Sequence, residues 1–130
     1  MESKRDIGRR IMSEVLGKEY FDRREASTTA FNTPIRIFSE ENCFGDLWNR
    51  PGLERKTRSL LLIGMLTALN RITEMRFHVR SAINNGCTVD EIQEVLYQCV
   101  TYCGLPAAVE SYKAAEDVLT EMKLLPQKKA

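Results

Sequence analysis

The sequence predicts an all-helical protein, and three observations support this prediction. Apolar residues recur with the period of an α-helix along the whole chain, and no stretch alternates as a half-buried strand does. Glycine and proline stand where helices are expected to end and begin. A nearly continuous apolar run covers residues 60–69. At 130 residues, the chain fits one domain over 1–130, with about six to seven helices.

The N-terminal part is predicted to form three helices. The first carries an apolar stripe and ends at Gly17, a common residue at a helix C-terminus. A weaker amphipathic stretch covers residues 20–31. Pro34 suits the first turn of the third helix, which runs towards Gly45.

The fourth and most strongly predicted helix covers residues 53–70. Its second half, residues 60–69, is apolar on nearly every side, and a helix that is apolar all round is buried all round. A domain of this size has too little interior to cover such a helix completely. We therefore expect residues 60–69 to form a central helix or to enter a subunit interface, with Gly64 allowing a close helix approach, and the small interior argues for an oligomer.

Three more helices complete the prediction. The fifth covers about 73–85 and ends near Gly86. Thr88-Val89-Asp90-Glu91 has the pattern of a capping box that starts the sixth helix, at about 89–103. Pro106 opens the last helix.

The composition argues against several functions. Nineteen basic and 18 acidic residues give a formal net charge of +1, so there is no reason to expect nucleic acid or a membrane surface as a partner. The first residues are polar, unlike a signal peptide. The longest apolar run is about half of a bilayer span. We expect a cytoplasmic protein.

The four cysteines are Cys43, Cys87, Cys99 and Cys103, and no two form a C-x-x-C motif. The single histidine cannot complete a Cys2His2 metal site. Cys99 and Cys103 share one helix face because they are four residues apart. We interpret them as small buried hydrophobic residues, with a redox or metal-binding pair as the alternative.

The strongest candidate for catalysis is His78, the only histidine. Its unperturbed pKa lies near neutrality, so it can deliver or accept a proton there. Glu74 lies one helical turn earlier, on the same face, where a carboxylate can fix the tautomer of the imidazole and raise its pKa. The alternative is a chance spacing on an exposed helix. One histidine and one carboxylate are too few ligands for a metal ion.

Several arginines and the only tryptophan, Trp48, flank this candidate in sequence. Arginine binds carboxylates through two parallel hydrogen bonds, so this composition suits a small acidic substrate. The alternatives are solvated faces or subunit ion pairs for the arginines, and a packing anchor for Trp48. The arginines are Arg50, Arg58, Arg71, Arg76 and Arg80.

The chain resembles the carboxymuconolactone decarboxylase family over nearly its whole length, with its main motifs within 44–119. The two most specific motifs are a W-x-R-P-G-L turn and a Y-x-G-x-P-A-A turn. The motifs are Trp48-Asn49-Arg50-Pro51-Gly52-Leu53, Arg58-Ser59-Leu60, Glu74, His78-Val79-Arg80, Asn84-Asn85-Gly86, Glu91-Ile92-Gln93-Glu94-Val95-Leu96 and Tyr102-Cys103-Gly104-Leu105-Pro106-Ala107-Ala108.

This resemblance implies the all-helical fold of alkylhydroperoxidase D, in a homohexamer or homotrimer without metal or organic cofactor. It implies decarboxylation of 4-carboxymuconolactone to the enol-lactone of 3-oxoadipate, in the β-ketoadipate pathway of protocatechuate catabolism. Peroxidase relatives carry C-x-x-C before the equivalent histidine. Here Arg71 and Glu74 occupy those positions, which argues against a thiol peroxidase.

The resemblance also suggests a role for each candidate residue. His78 is the expected general acid and Glu74 the residue that orients it. Arg50 and Arg58 are the expected carboxylate or enolate binders, and Trp48 is a wall of the pocket.

Departures from the family pattern at Phe44, Phe77 and three cysteines leave the substrate open. One alternative is a paralogue that decarboxylates or isomerises another small acid. Another is a non-catalytic oligomeric protein that binds a ligand.

Overall fold

The computed structural model describes residues 1–127, and every regular element in that span is a helix. Residues 1–127 contain seven α-helices, which confirms the predicted all-helical fold class. A π-helix, Ser39–Phe44, and a short 3-10 helix, Leu47–Asn49, lie between α3 and α4 in sequence. The α-helices are α1 (Lys4–Leu16), α2 (Lys18–Ala26), α3 (Thr33–Phe38), α4 (Arg55–Ala68), α5 (Ile72–Asn84), α6 (Val89–Tyr102) and α7 (Leu105–Glu121).

The chain divides into two compact units, Met1–Arg55 and Lys56–Ala130. In the first unit, α1 starts at a capping box in which Ser3 and Asp6 exchange hydrogen bonds. The second helix is shorter than the predicted 20–31 and ends at Ala26. The hydroxyls of Ser27 and Thr28 donate to the Arg24 carbonyl there, which helps to explain the early end.

The π-helix follows α3 directly and was not predicted. It contains the wide hydrogen bond of this helix type, from the Gly45 N–H to the Glu40 carbonyl at 2.8 Å. The Glu40 side chain is 1% exposed and accepts hydrogen bonds from three arginines. These arginines are Arg5, Arg9 and Arg24.

In the second unit, one hydrophobic core joins α4, α5, α6 and α7. Each helix contributes one apolar stripe, as the sequence periodicity predicts. The buried core residues are Ile63 and Leu66 of α4, Met75, Val79 and Ala82 of α5, Cys87, Ile92 and Leu96 of α6 and the turn before it, and Ala114, Ala115, Val118 and Leu119 of α7.

The apolar part of α4 is not buried on all sides within a single chain, in agreement with the expectation that a domain of this size cannot cover it completely. Ile63 and Leu66 lie in the core, but Leu61, Met65 and Leu69 are 47%, 56% and 64% exposed. The exposed residues are four apart, so Leu61 and Met65 share one face of α4, and Leu69 continues that face just past the helix end. This stripe, Leu61/Met65/Leu69, is called the α4 stripe below.

Candidate active site

The fifth helix positions the two predicted catalytic residues. Its stripe of Met75, Val79 and Ala82 enters the core, which fixes the orientation of the helix. His78 lies beside this stripe and is half-buried. Glu74 lies in the first turn of α5 and is exposed. The two side chains therefore lie on successive turns of one helix, as the spacing predicts.

The electrostatic environment of His78 differs from the prediction. Burial lowers the pKa of His78 to about 4, because the charged imidazolium loses its hydration. Neither His78 nor Glu74 forms a hydrogen bond or ion pair with any of residues 1–127. The expected rise in the histidine pKa from Glu74 is therefore absent. At neutral pH the imidazole of the ligand-free chain is neutral and can both donate and accept a hydrogen bond.

The third predicted residue of this unit, Arg58, lies half-buried on α4. Its neighbour Ser59 is 2% exposed and accepts a hydrogen bond from the Asn85 side-chain amide at 3.0 Å. This bond ties the end of α5 to the turn of α4 that carries Arg58. Asn85 belongs to the Asn84-Asn85-Gly86 motif, but the sequence gives no sign of this role, because Ser59 lies 26 positions away.

Two other arginines near His78 in sequence hold α5 against α7. Arg76 pairs with Asp117 at 3.4 Å, and Arg80 pairs with Glu121 at 3.2 Å. The alternative interpretation of solvated or ion-paired arginines therefore fits Arg76 and Arg80, with both pairs inside one chain.

Trp48 and Arg50 belong to the N-terminal unit. Trp48 lies in the 3-10 helix and is 6% exposed. Its ring stacks on Phe44, with centroids 6.2 Å apart and an angle of 9° between the ring planes. Arg50 follows this helix in extended conformation and is exposed. The packing role that was considered for Trp48 is thus present in the structure.

Trp48 and Arg50 lie two residues apart in the first unit, while Glu74 and His78 lie one turn apart on α5 in the second unit, which also carries Arg58 on α4. No group of three or more His, Cys, Asp or Glu side chains among residues 1–127 could hold a metal ion. In the same span, no helix is both long and apolar enough to cross a membrane.

The all-helical fold and the α5 motif define a known class of protein. The profile of the carboxymuconolactone decarboxylase family matches residues 38–117. This match covers more than half of the chain, and the protein belongs to that family.

Three relatives give more detail. The chain is 39% identical to the 4-carboxymuconolactone decarboxylase of Acinetobacter baylyi over 93% of its own length and 90% of that protein. It is 36% identical to a nitrosuccinic acid decarboxylase of Metarhizium robertsii, over 90% of its length and 82% of the relative. An uncharacterised protein of Paracoccus denitrificans is 36% identical over 79% of this chain and 77% of its own length. The two relatives with a named activity are decarboxylases, which supports a carboxy-lyase.

Proposed function

We propose that the protein is a cofactor-free decarboxylase of 4-carboxymuconolactone, or of a closely similar lactone acid, in protocatechuate catabolism. The observation that carries this proposal is the 39% identity to a decarboxylase of this name, which extends over 93% of the chain. Cytoplasmic localisation belongs to the same proposal.

The chemistry of this substrate explains why no cofactor is needed. When the bond to the leaving carboxylate breaks, its electron pair passes through the conjugated double bond to the lactone carbonyl. The resulting dienolate oxygen carries the charge that an organic cofactor would otherwise accept. The protein has to stabilise this oxygen and deliver one proton to the ring carbon.

In this proposal His78 delivers the proton. The imidazole is neutral in the ligand-free chain, because burial lowers its pKa to about 4. A substrate carboxylate close to the ring would favour the imidazolium form and raise this pKa. Substrate binding would thus favour the protonated form of His78, which is the form that can act as general acid. Glu74, one turn earlier on α5, would orient the imidazole after a side-chain rotation.

The remaining predicted residues have binding roles in this proposal. Arg58 on α4 and Arg50 after the 3-10 helix would bind carboxylate or enolate oxygens, because a guanidinium offers two parallel donors. Trp48 would form an apolar wall. Apolar surroundings of the leaving carboxylate favour its loss as neutral carbon dioxide.

A second substrate class deserves the same test, because the nitrosuccinic acid decarboxylase is 36% identical over 90% of the chain. In a nitro acid, the nitro group accepts the electron pair that the lactone carbonyl accepts in the first case. The same proton donor and carboxylate-binding arginines would serve both substrates.

We also propose that the working form is a homo-oligomer that buries the α4 stripe against a second copy. An interface with two-fold symmetry uses the same patch on both chains, so the α4 stripe of one chain would pack on the α4 stripe of the other.

The test of the enzymatic proposal is an ultraviolet absorbance assay of the purified protein with 4-carboxymuconolactone and, separately, with 2-nitrosuccinate. Turnover of the lactone acid that His78→Gln abolishes supports both the reaction and the proton donor. Lys113→Gln, an exposed change on α7, is the control and should retain activity.

The other possible results of this assay distinguish the alternative functions. Turnover of nitrosuccinate alone favours the second substrate class. Full activity in folded His78→Gln removes the histidine from the mechanism. Binding of the lactone acid without turnover of either compound favours a non-catalytic ligand-binding protein.

A further inference from the structure

Two thiols lie one turn apart at the end of α6, where they line an open groove. The Cys103 N–H donates to the Cys99 carbonyl at 2.8 Å, so the helical spacing between the two residues is regular. Cys99 is buried and Cys103 is half-buried. The groove between α4 and α6 measures about 340 Å³ and has mostly apolar walls. Its other walls include Leu61, Gly64, Val95 and Tyr102.

Core packing accounts for the burial of Cys99, which is 5% exposed and thus as buried as Cys87. Cys103 is half-buried. Both thiols line the same groove, and core packing does not explain this shared position.

The two thiols interact with each other. Burial, together with a hydrogen bond with the Cys103 thiol, raises the pKa of Cys99 to about 11, although a hydrogen bond with Thr67 opposes the rise. Cys99 is therefore a neutral thiol at pH 7 and a weak nucleophile.

The geometry fits two-coordinate binding. Side chains one helical turn apart have Cβ atoms about 5–6 Å apart. Two metal–sulfur bonds of about 2.3 Å each bridge such a separation. Zinc takes four ligands in structural sites, and residues 1–127 offer no cluster of three or more metal-ligating side chains. Among the biological metals, copper(I) prefers soft sulfur ligands.

We propose that Cys99 and Cys103 form a copper(I) site, in which two thiolates hold the ion in the groove between α4 and α6. On binding, both S–H bonds break, two Cu–S bonds form and two protons pass to solvent. Copper stays in the +1 state, so no oxidant or reductant takes part. The site lies on α6 and includes none of the residues assigned to decarboxylation.

The test is an anaerobic titration of the reduced full-length protein with copper(I), in competition with a coloured copper(I) chelator. We expect one ion per chain and the release of two protons per ion at pH 7. X-ray absorption of the loaded protein should give two sulfur neighbours per copper. Cys99→Ser and Cys103→Ser should each lose stoichiometric binding. Cys43→Ser and Cys87→Ser are matched controls and should retain it.

Three results would overturn the proposal. One is stoichiometric copper in the Cys99→Ser, Cys103→Ser double variant. Another is zinc binding in the same groove as tight as copper binding, because a two-thiolate site should discriminate against zinc. The third is the absence of binding in the wild-type protein. Circular dichroism verifies the fold of each variant, and Cys103→Ser, a half-buried change at the helix end, keeps the test usable if Cys99→Ser does not fold.

Discussion

Gly8 of α1 lies directly against the backbone of Glu40 in the π-helix. A Cβ atom placed on Gly8 would lie 1.7 Å from the Glu40 carbonyl oxygen and 2.6 Å from its carbonyl carbon. Both partners are main-chain atoms, so no side-chain rotation can relieve the overlap. The absence of a side chain at position 8 is therefore what allows α1 to pack on the π-helix.

This contact predicts that Gly8→Ala destabilises the protein. Alanine favours a helix over glycine by about 1 kcal/mol, whereas overpacking typically costs about 1–3 kcal/mol, and the upper end applies here because the overlap is with main-chain atoms. We expect a clear net loss in the free energy of unfolding, measured by urea denaturation. Gly52→Ala is the control, because a Cβ there meets no atom within 4 Å. Equal stability of the two variants would contradict the close contact.

Glu40 gives the second prediction. Burial of the Glu40 carboxyl group opposes its ionisation, but hydrogen bonds from Arg24 and Arg5 outweigh this effect. The pKa of Glu40 is therefore lowered. Glu40→Gln removes one partner of a buried ion-pair cluster, a change that typically costs about 3–5 kcal/mol. Denaturant unfolding at pH 7 measures this loss. Glu41→Gln, the adjacent residue, should cost much less.

The same carboxylate predicts a pH dependence. Because the pKa of Glu40 is lower in the folded state than in the unfolded state, its contribution is complete above the ordinary value of 4.5 and is lost as the pH falls through the lowered pKa. Wild-type stability should therefore decrease more steeply than that of Glu40→Gln below pH 4.5. Parallel curves for the two proteins in this range would refute the assignment.

His78 gives the third prediction, which its uniqueness makes easy to test. Its imidazole signals in the NMR spectrum need no assignment, because the chain has one histidine. In the ligand-free protein they should titrate with a pKa of about 4, against a usual value of 6.5. A measured value of 6.5 or above would show that the ring is solvated or paired.

The lowered pKa of His78 also has a thermodynamic consequence. Between pH 4 and 6.5 the unfolded chain binds more protons at His78 than the folded chain does. The free energy of unfolding therefore rises with pH across this window, and the destabilisation caused by the buried histidine is absent above pH 6.5. His78→Gln should show a smaller rise over the same window, measured by thermal unfolding. If stability rose with pH equally in His78→Gln and in the wild-type protein, a buried neutral histidine would be excluded.

Local sequence signals predicted much of the fold. The capping box at Thr88 and Glu91 forms as expected, because its hydrogen bonds depend on residues three apart in sequence. The π-helix was missed, because it depends on arginines from α1 and α2 that contact Glu40. Long-range packing of this kind leaves no periodic pattern.

For the candidate site, the sequence predicted which residues share a helix but not their electrostatics. The i, i+4 spacing placed Glu74 and His78 on successive turns of α5, as observed. Sequence spacing contains no measure of how much solvent reaches the imidazole. The burial of His78, which decides its pKa, depends on how α5 packs in the folded unit. The hydrogen bond from Asn85 to Ser59 likewise joins residues 26 positions apart.

The fourth prediction concerns the α4 stripe. Met65 is 56% exposed in the single chain, so a charge at this position costs little within one chain. In an oligomer that covers the stripe, two-fold symmetry would bring two such carboxylates together without partners, and this arrangement is strongly unfavourable. Met65→Glu should therefore shift the protein from oligomer to monomer in multi-angle light scattering, while its helical content stays unchanged. Gln93→Glu adds the same charge to an exposed position on α6 and should leave the oligomer intact. A monomeric wild-type protein, or an oligomer that persists in Met65→Glu, would exclude the α4 stripe as the interface.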